Sequence, residues 1–322
     1  MKIKIIMKVK VFLKKFDFVE VLKVKRNIRK NRKIATSKID IKEKLYHEYY
    51  AYYGRAPELN PPKRYSEFLL WQKINFFDEK ATLLSDKVKA KEYIKGKFGN
   101  EITAAKTLFV FDDARKIDLD KLPSRSIIKC NHNSGYVFLI DKTTSKTVIT
   151  NLRDKTHKKF RFKTMVKLLN GLLKVNYFYY SYEWNYKDIK PVVFVEEFLD
   201  VGDLKDYKFY MNYDRLVAFH VTSDRQNDER NDFFDNELKP MHVWADVPPS
   251  DVVPQLPDNI NHMIDIARRI SSDFPVLRVD LYTIDGAIYF GEATFFHMAG
   301  YLDFREPANF DELMGSKMSI IR

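Results

Sequence analysis

Between Arg278 and Thr294 the chain alternates β-branched or aromatic residues on both sides of Ile284-Asp285-Gly286, and Asp-Gly between two such runs is the strongest short-range sign of a β-hairpin. Few folds accommodate what this hairpin carries. Asp280 and Glu292 sit among Val279, Leu281, Phe290, Phe295 and Phe296, neighbours that argue for a covered sheet, where an unpaired carboxylate is costly. The pairing register decides whether the two acids meet, because a one-residue slip turns a whole strand over. A two-residue loop at Asp285-Gly286 sets Asp280 opposite Gly291 and sends Glu292 to the other side of the sheet. A three-residue loop, with Gly286 in the left-handed position of a bulge, pairs Thr283 with Ala287 and Arg278 with Glu292. The second register is adopted, because it puts Asp280, Glu292 and Thr294 on one face. Diagonal carboxylates ~7–8 Å apart at Cα then form a set of oxygen donors suited to magnesium bound with nucleotide phosphates.

A chain of 322 residues, 45% hydrophobic, is ordinary globular material with room for one large domain or two to three lobes. Its single cysteine, Cys130, rules out a disulfide framework and Cys-rich metal sites, and points to a reducing, cytoplasmic setting. No apolar run reaches the ~18 residues that span a bilayer, and no stretch reads as a cleaved signal.

The net charge of +12 is unevenly spread: residues 1–40 carry +11 of it and the other 282 residues only +1. A nearly neutral body argues against nucleic acid as the partner. In the arm, Ile5, Val9, Phe12, Leu13 and Phe16 fall on one helical face and Lys4, Lys8, Lys14 and Lys15 on the other. With the Lys23–Lys33 cluster, this fits a helix on an anionic membrane surface. A solvated tail, or a first helix packed on the body, is the competing reading. Val19, Val21 and Val24 also leave a strand open for the second half of the arm.

Beyond the arm, residues 41–106 read as helical, with segments at Ile41–Tyr53, Ser66–Phe77 and Ser85–Lys97. From Thr107 the pattern turns strand-like at 108–111, 126–130 and 136–140, then again at 192–196, 208–211 and 215–220, with helices near 162–175 and 259–271. This mixture of hairpins and separate helices indicates an α+β class. The domains expected are an arm (1–40), a helical region (41–106), a small lobe (107–200) and a large lobe (201–322).

Four features line up in order. Asp86-Lys87 opens a helix. Lys129 ends an apolar strand and is followed by Asn131-His132-Asn133-Ser134-Gly135, a turn whose amides suit phosphates. Val195-Glu196-Glu197-Phe198-Leu199 ends a strand with acids and an apolar pair, an edge suited to an adenine ring. The acidic hairpin is fourth. With Trp71-Gln72-Lys73, Glu183-Trp184-Asn185-Tyr186-Lys187-Asp188, Asp206-Tyr207-Lys208-Phe209 and Ser223-Asp224-Arg225, this order resembles the ATP-grasp fold. In wording it resembles the TupA-like (teichuronopeptide-biosynthesis) ATP-grasp family of bacterial surface-polysaccharide clusters, over roughly Tyr46 to Gly315.

The resemblance implies two α+β lobes gripping ATP behind the helical N-terminal region. Lys87 and Lys129 would neutralise ATP phosphates beside the loop residues Asn131, Ser134 and Gly135. Glu196 would accept from the adenine amino group, the backbone near Leu199 would complete the base contact, and Asp203 would meet the ribose. Asp280 and Glu292 would hold Mg2+, with Thr294 where the superfamily usually has Asn. Lys208 and Arg225 would stabilise the transferring phosphoryl group. Two departures stand out: a glycine-poor phosphate loop, and Phe296-His297-Met298-Ala299-Gly300 where the family tends to Pro-Gly-Ser-Gly. The implied activity is a carboxylate-amine ligase working through an acyl phosphate. Its expected partners are a polysaccharide or lipid-linked sugar precursor and a small amine or amino acid, with peripheral membrane contact through residues 1–40 on the inner face of the cytoplasmic membrane. A glycosyltransferase or glycan kinase of the same kind of gene cluster is the alternative, and a basic nucleic-acid- or membrane-binding module is a third.

Overall fold

The computed structural model describes residues 17–322 apart from Lys155, His157, Asp203 and Gln226. The apolar face drawn through Ile5 to Phe16 and the ribose ligand Asp203 therefore lie outside the described residues. The chain divides into two compact units: one takes the residues up to Ser37 with Ala105–Tyr180 and Ile189–Asp200, the other Lys38–Ala104, Ser181–Asp188 and Val201–Arg322. Each holds an antiparallel sheet with helices, as the α+β class requires.

The first unit has five strands, β1 (Thr107–Phe111), β2 (Arg125–Cys130), β3 (Val137–Asp141), β4 (Val148–Asn151) and β5 (Val193–Glu197), in the order β1-β5-β2-β3-β4. Alternation along β2 and β5 sorts their residues between two faces. Ile128 and Cys130 stand opposite Val195 and Val193, and pack with Phe138, Ile140 and the helix Phe162–Leu172 into the core. Ile127 and Lys129 point the other way, opposite Glu196 and Phe194. The second half of the arm is a helix, Asp17–Ala35, and not the strand its valines allow. Val24 is buried in this core, and a Cβ on Gly171 would come 2.6 Å from its Cγ1. Burial against a neighbouring helix outweighs the weak β preference of valine.

The second unit holds a six-stranded sheet in the order β11-β10-β6-β7-β8-β9, from β6 (Asp206–Asn212), β7 (Arg215–Ser223), β8 (Arg230–Asp235), β9 (Pro240–Met241), β10 (Leu277–Ile284) and β11 (Ala287–Thr294). One face, with Phe209, Phe219, Val279 and Leu281, packs on the helices Ile260–Ser271, Glu79–Ser85 and Lys89–Phe98. The helix Ile41–Tyr53 forms at its expected bounds. Asp40 accepts from Glu43 N at 3.0 Å, and Gly54 ends the helix at φ 68, its N–H bonded to Tyr50 O. The helix expected over Ser85–Lys97 is split. Asp86 has extended backbone and its carboxylate takes the N–H groups of Val88 and Lys89 at 3.0 and 3.3 Å, so a new helix starts at Lys89.

The hairpin corrects the expected register. Ile284 pairs with Ala287, so the loop is the two-residue Asp285-Gly286, with φ 50 and 80 at its centre as a type I′ turn requires. The extra residue lies further along the strand, where the ladder shifts between Asp280 and Leu281 and leaves Gly291 bulged. A Cβ on Gly291 would lie 2.9 Å from Asp280 O and from the Tyr282 ring, so the bulge closes only on glycine. Beyond it Asp280 faces Glu292 and Arg278 faces Thr294. The acids thus share a face, directly opposite rather than diagonal, through a bulge in β11 and not through the turn.

Candidate active site

In the second unit, the sheet face away from the helical core carries a charged row. Glu292, Asp280, Lys208 and His220 stand side by side across β11, β10, β6 and β7. Thr294, Arg278 and Tyr210 form the next row. Three buried strands force these side chains together, and their charges neutralise one another. Arg278 grips Asp280 in a fork, Nε to Oδ1 at 2.7 Å and Nη2 to Oδ2 at 2.8 Å. Lys208 Nζ donates to Asp280 Oδ2 at 2.7 Å and to Asp206 Oδ2 at 2.5 Å. Arg225 Nη2 reaches the same Asp206 oxygen at 3.0 Å. Glu292 is the open member, its side chain 35% exposed and its Oε1 3.5 Å from Arg278 Nη2; Thr294 donates to it at 3.3 Å.

Burial is the largest single influence on Asp280, Asp206, Arg278, His220 and His297, though not always the winning one. It lifts Asp280 above the usual carboxylate range, with Arg278 and Lys208 opposing. Burial works to raise Asp206 too, but Lys208 and Arg225 outweigh it and hold that carboxyl low. Burial also pulls against Arg278, yet Asp280 raises it further above its ordinary value. His220 and His297 are driven well below the ordinary imidazole value, by burial first and then by neighbouring cations including Lys208 and Arg278. His220 Nδ1 bonds Tyr210 OH at 3.1 Å, and the Tyr210 ring lies 5.6 Å from each imidazole.

The donor set fits a hard cation. Asp280 Oδ1 accepts one bond from Arg278 and keeps a lone pair, and Glu292 stands opposite with exposed oxygen. Among the described residues no three or more His, Cys, Asp or Glu group to hold a metal by themselves, so an ion here would complete its shell with water or phosphate, as magnesium does. Of the predicted residues, Lys208, Arg225, Asp280, Glu292 and Thr294 come together. Lys87, half-buried near the start of the Lys89–Phe98 helix, belongs to the same unit, and its charge is felt by the buried Glu183.

In the first unit, Lys129 Nζ meets Glu196 Oε1 at 2.5 Å and lies 5.4 Å above the Phe194 ring. This pair sits on the face turned away from the helical core. Leu199 follows β5. The turn after β2 is held from within. Asn131 Nδ2 donates to Lys190 O at 3.0 Å and its Oδ1 accepts from Val192 N at 2.9 Å, so its side chain serves as a latch inside the unit. Ser134 Oγ lies 3.2 Å from Tyr177 OH, Gly135 has φ 106, and Gly135 O accepts from Asn151 Nδ2 at 3.2 Å.

Sequence reasoning missed three participants. In the sequence Asp206 is only one residue of a motif, yet it is buried and its Oδ1 has no hydrogen-bond partner among the described residues. Arg278, a strand position in the sequence, is the clamp on Asp280. The Trp71-Gln72-Lys73 segment carries the third. Gln72 bonds Phe295 O and Val276 N at 3.2 and 2.7 Å, and Lys73 donates to Ser181 O and Ala299 O at 3.0 and 2.8 Å. Together they hold the turn where Met298 and Ala299 both have positive φ, 49 and 57, a strained geometry for residues with a side chain. Burial pushes Lys73 down to about 8. The available signal was a lysine that follows the apolar run Phe68-Leu69-Leu70-Trp71 and Gln72, inside the helix Tyr65–Asn75.

A family model described as TupA-like ATPgrasp matches residues 67–319. Comparison with curated proteins gives no match. Among solved structures, the D-alanine–D-alanine ligase of Bacillus anthracis is 15% identical over 71% of this chain and 59% of that one, with a TM-score of 0.35. The corresponding ligase of Helicobacter pylori is 13% identical over 74% and 61%, at 0.38. The L-amino acid ligase of Bacillus licheniformis is 11% identical over 81% and 55%, at 0.40. The chain thus spans less than two thirds of the length of these proteins.

Proposed function

The chain belongs to the TupA-like ATP-grasp family, and on that premise we propose that it is an ATP- and Mg2+-dependent carboxylate-amine ligase of surface-polysaccharide biosynthesis. The carboxylate takes the γ-phosphoryl group of ATP to give an acyl phosphate and ADP; an amine then attacks the acyl carbon, and phosphate leaves as the amide forms. The substrates we assign by chemical class are a uronic acid or related carboxylate of a capsule, O-antigen or teichuronic-type polymer, polymeric or lipid-linked, and a small amine or amino acid.

The observation that carries this reading is the row in which Asp280 and Glu292 face each other beside Lys208, Arg278 and Arg225. Phosphoryl transfer needs little covalent help from the protein, and its barrier falls mainly through positioning and fixed charge. Magnesium, held by Asp280 and Glu292 with Thr294 beside them, would neutralise phosphate oxygens. Lys208 and Arg225 stand on the same sheet face to meet the transferred group. Their positions are fixed in advance by Asp206 and Asp280, so little reorganisation remains for the reaction itself. In the other unit, Lys129 on an apolar sheet face supplies one cation for phosphate, and Glu196 and the backbone at Leu199 are assigned to the adenine.

The test is ADP release in the presence of Mg2+ and candidate carboxylates and amines, with product mass recorded. An amide product formed with loss of water, and turnover lost in Glu292→Gln, is the expected result. Equal turnover in wild type and variant, or a product carrying a phosphate or an added hexose, overturns it.

A further inference from the structure

We propose that the exposed face of the Asp17–Ala35 helix is a docking surface for a bilayer containing anionic phospholipid. The helix carries seven lysines and arginines between Lys23 and Lys33, and all seven are exposed. Its other face is pinned to the first unit. Val24 is buried and Ile28 packs against the same core, Asn31 exchanges two hydrogen bonds with Asn176, at 2.7 and 3.1 Å, and Glu20 accepts from Tyr136 OH at 2.8 Å. Only Lys23, 2.6 Å from Glu20, has an acidic partner among the described residues. A 19-residue helix is about 28 Å long, so along it six cations have no acidic partner among the described residues, and no acid stands between Lys25 and Lys33 in the sequence.

Such a surface calls for an extended anion, and the adjoining sequence says which kind. Residues 1–16 contain six lysines, no acid, and eight Ile, Val, Leu or Phe residues. Nucleic acid phosphates would use the cations and leave the apolar side chains in water. A lipid interface takes both: headgroups meet the basic residues, and apolar side chains enter the acyl boundary. The rest of the chain is near neutrality and adds no competing field. No helix among the described residues is long and apolar enough to cross a membrane, so contact through this surface is peripheral.

The experiment is flotation of the full chain with vesicles of phosphatidylcholine alone or with about 30% phosphatidylglycerol, at rising salt, alongside the variant Arg26→Glu/Arg29→Glu/Lys30→Glu/Lys33→Glu. All four positions are exposed, so circular dichroism should match the wild type. Expected are binding to the anionic vesicles only, weakening with salt, and a loss of about 100-fold or more in the variant. Three results overturn the proposal: equal binding to both lipid mixtures, unchanged binding of the variant, or binding of a uridine oligonucleotide with none to vesicles. None of these readouts depends on the ligase reading, so the two proposals fail separately.

Discussion

The two sheets use charge in opposite ways. In the first unit, the face away from the core carries two separate ion pairs, Lys129 with Glu196 and Arg125 with Asp141, among Ile127, Leu139 and Phe194. In the second, Asp206, Lys208, Arg225, Arg278, Asp280 and Glu292 interlock on one face. Separate pairs on a largely apolar surface leave room for a flat ring and place single cations. An interlocked row fixes several charges at once, and each holds the next in place. The difference predicts that single substitutions cost less in the first sheet than at the buried centre of the second.

Asp280→Asn breaks the comparison most severely. It strands both Arg278 and Lys208 at a buried site, so a stability loss of about 3–5 kcal/mol in urea unfolding is expected, together with a fall in ADP release of about 1,000-fold. Wild-type stability in this variant would show that the row is not mutually neutralising. Glu292→Gln separates the two effects, because that side chain is 35% exposed. Stability should change by less than about 1 kcal/mol, while turnover is lost. Lys129→Met removes a cation that is itself 22% exposed from a Glu196 that is 8% exposed. A loss of about 1–2 kcal/mol is expected after solvent screening, with ATP binding some 10-fold weaker by calorimetry. Gly291→Ala pushes a Cβ against Asp280 O and should cost about 1–3 kcal/mol. If its melting point is unchanged, the bulge does not set the row.

The smallest effect is on pH. His220 and His297 have folded values far below the ordinary imidazole value, so the unfolded chain takes up protons first as pH falls. Their contribution is complete above about pH 6.5 and is lost below it, by at most about 1.4 kcal/mol per pH unit for each ring. His220→Gln should flatten the dependence of melting temperature on pH between 7 and 5; an unchanged slope removes His220 from the account.

Much of the fold was legible. Helix Ile41–Tyr53 was bounded by Asp40 and Gly54, whose capping chemistry is local, and the strands at 107–111, 125–130 and 215–223 announce themselves by β-branched and aromatic runs. β4, β8 and the helix Phe310–Gly315 were not foreseen: their segments are short or polar, and tertiary pairing stabilises them. The site was legible in part. Asp280, Glu292 and Lys208 stand out as charges in apolar strands. Asp206, Arg278 and Lys73 do not, because what sets them apart is what they touch.

The chain alone determined that Asp280 and Glu292 lie on opposite arms of one hairpin and that its net positive charge is concentrated in the first 40 residues, since both are matters of order and composition. Whether those acids face each other was decided elsewhere: the bulge at Gly291 reverses the alternation that a two-residue turn imposes, and it closes because no side chain stands between that residue and the Asp280 carbonyl. The fork of Arg278 on Asp280 and the lysine shared with Asp206 likewise required β6 to lie beside β10, and strand adjacency across some 70 residues of sequence is settled by the burial of whole faces, which no local pattern records.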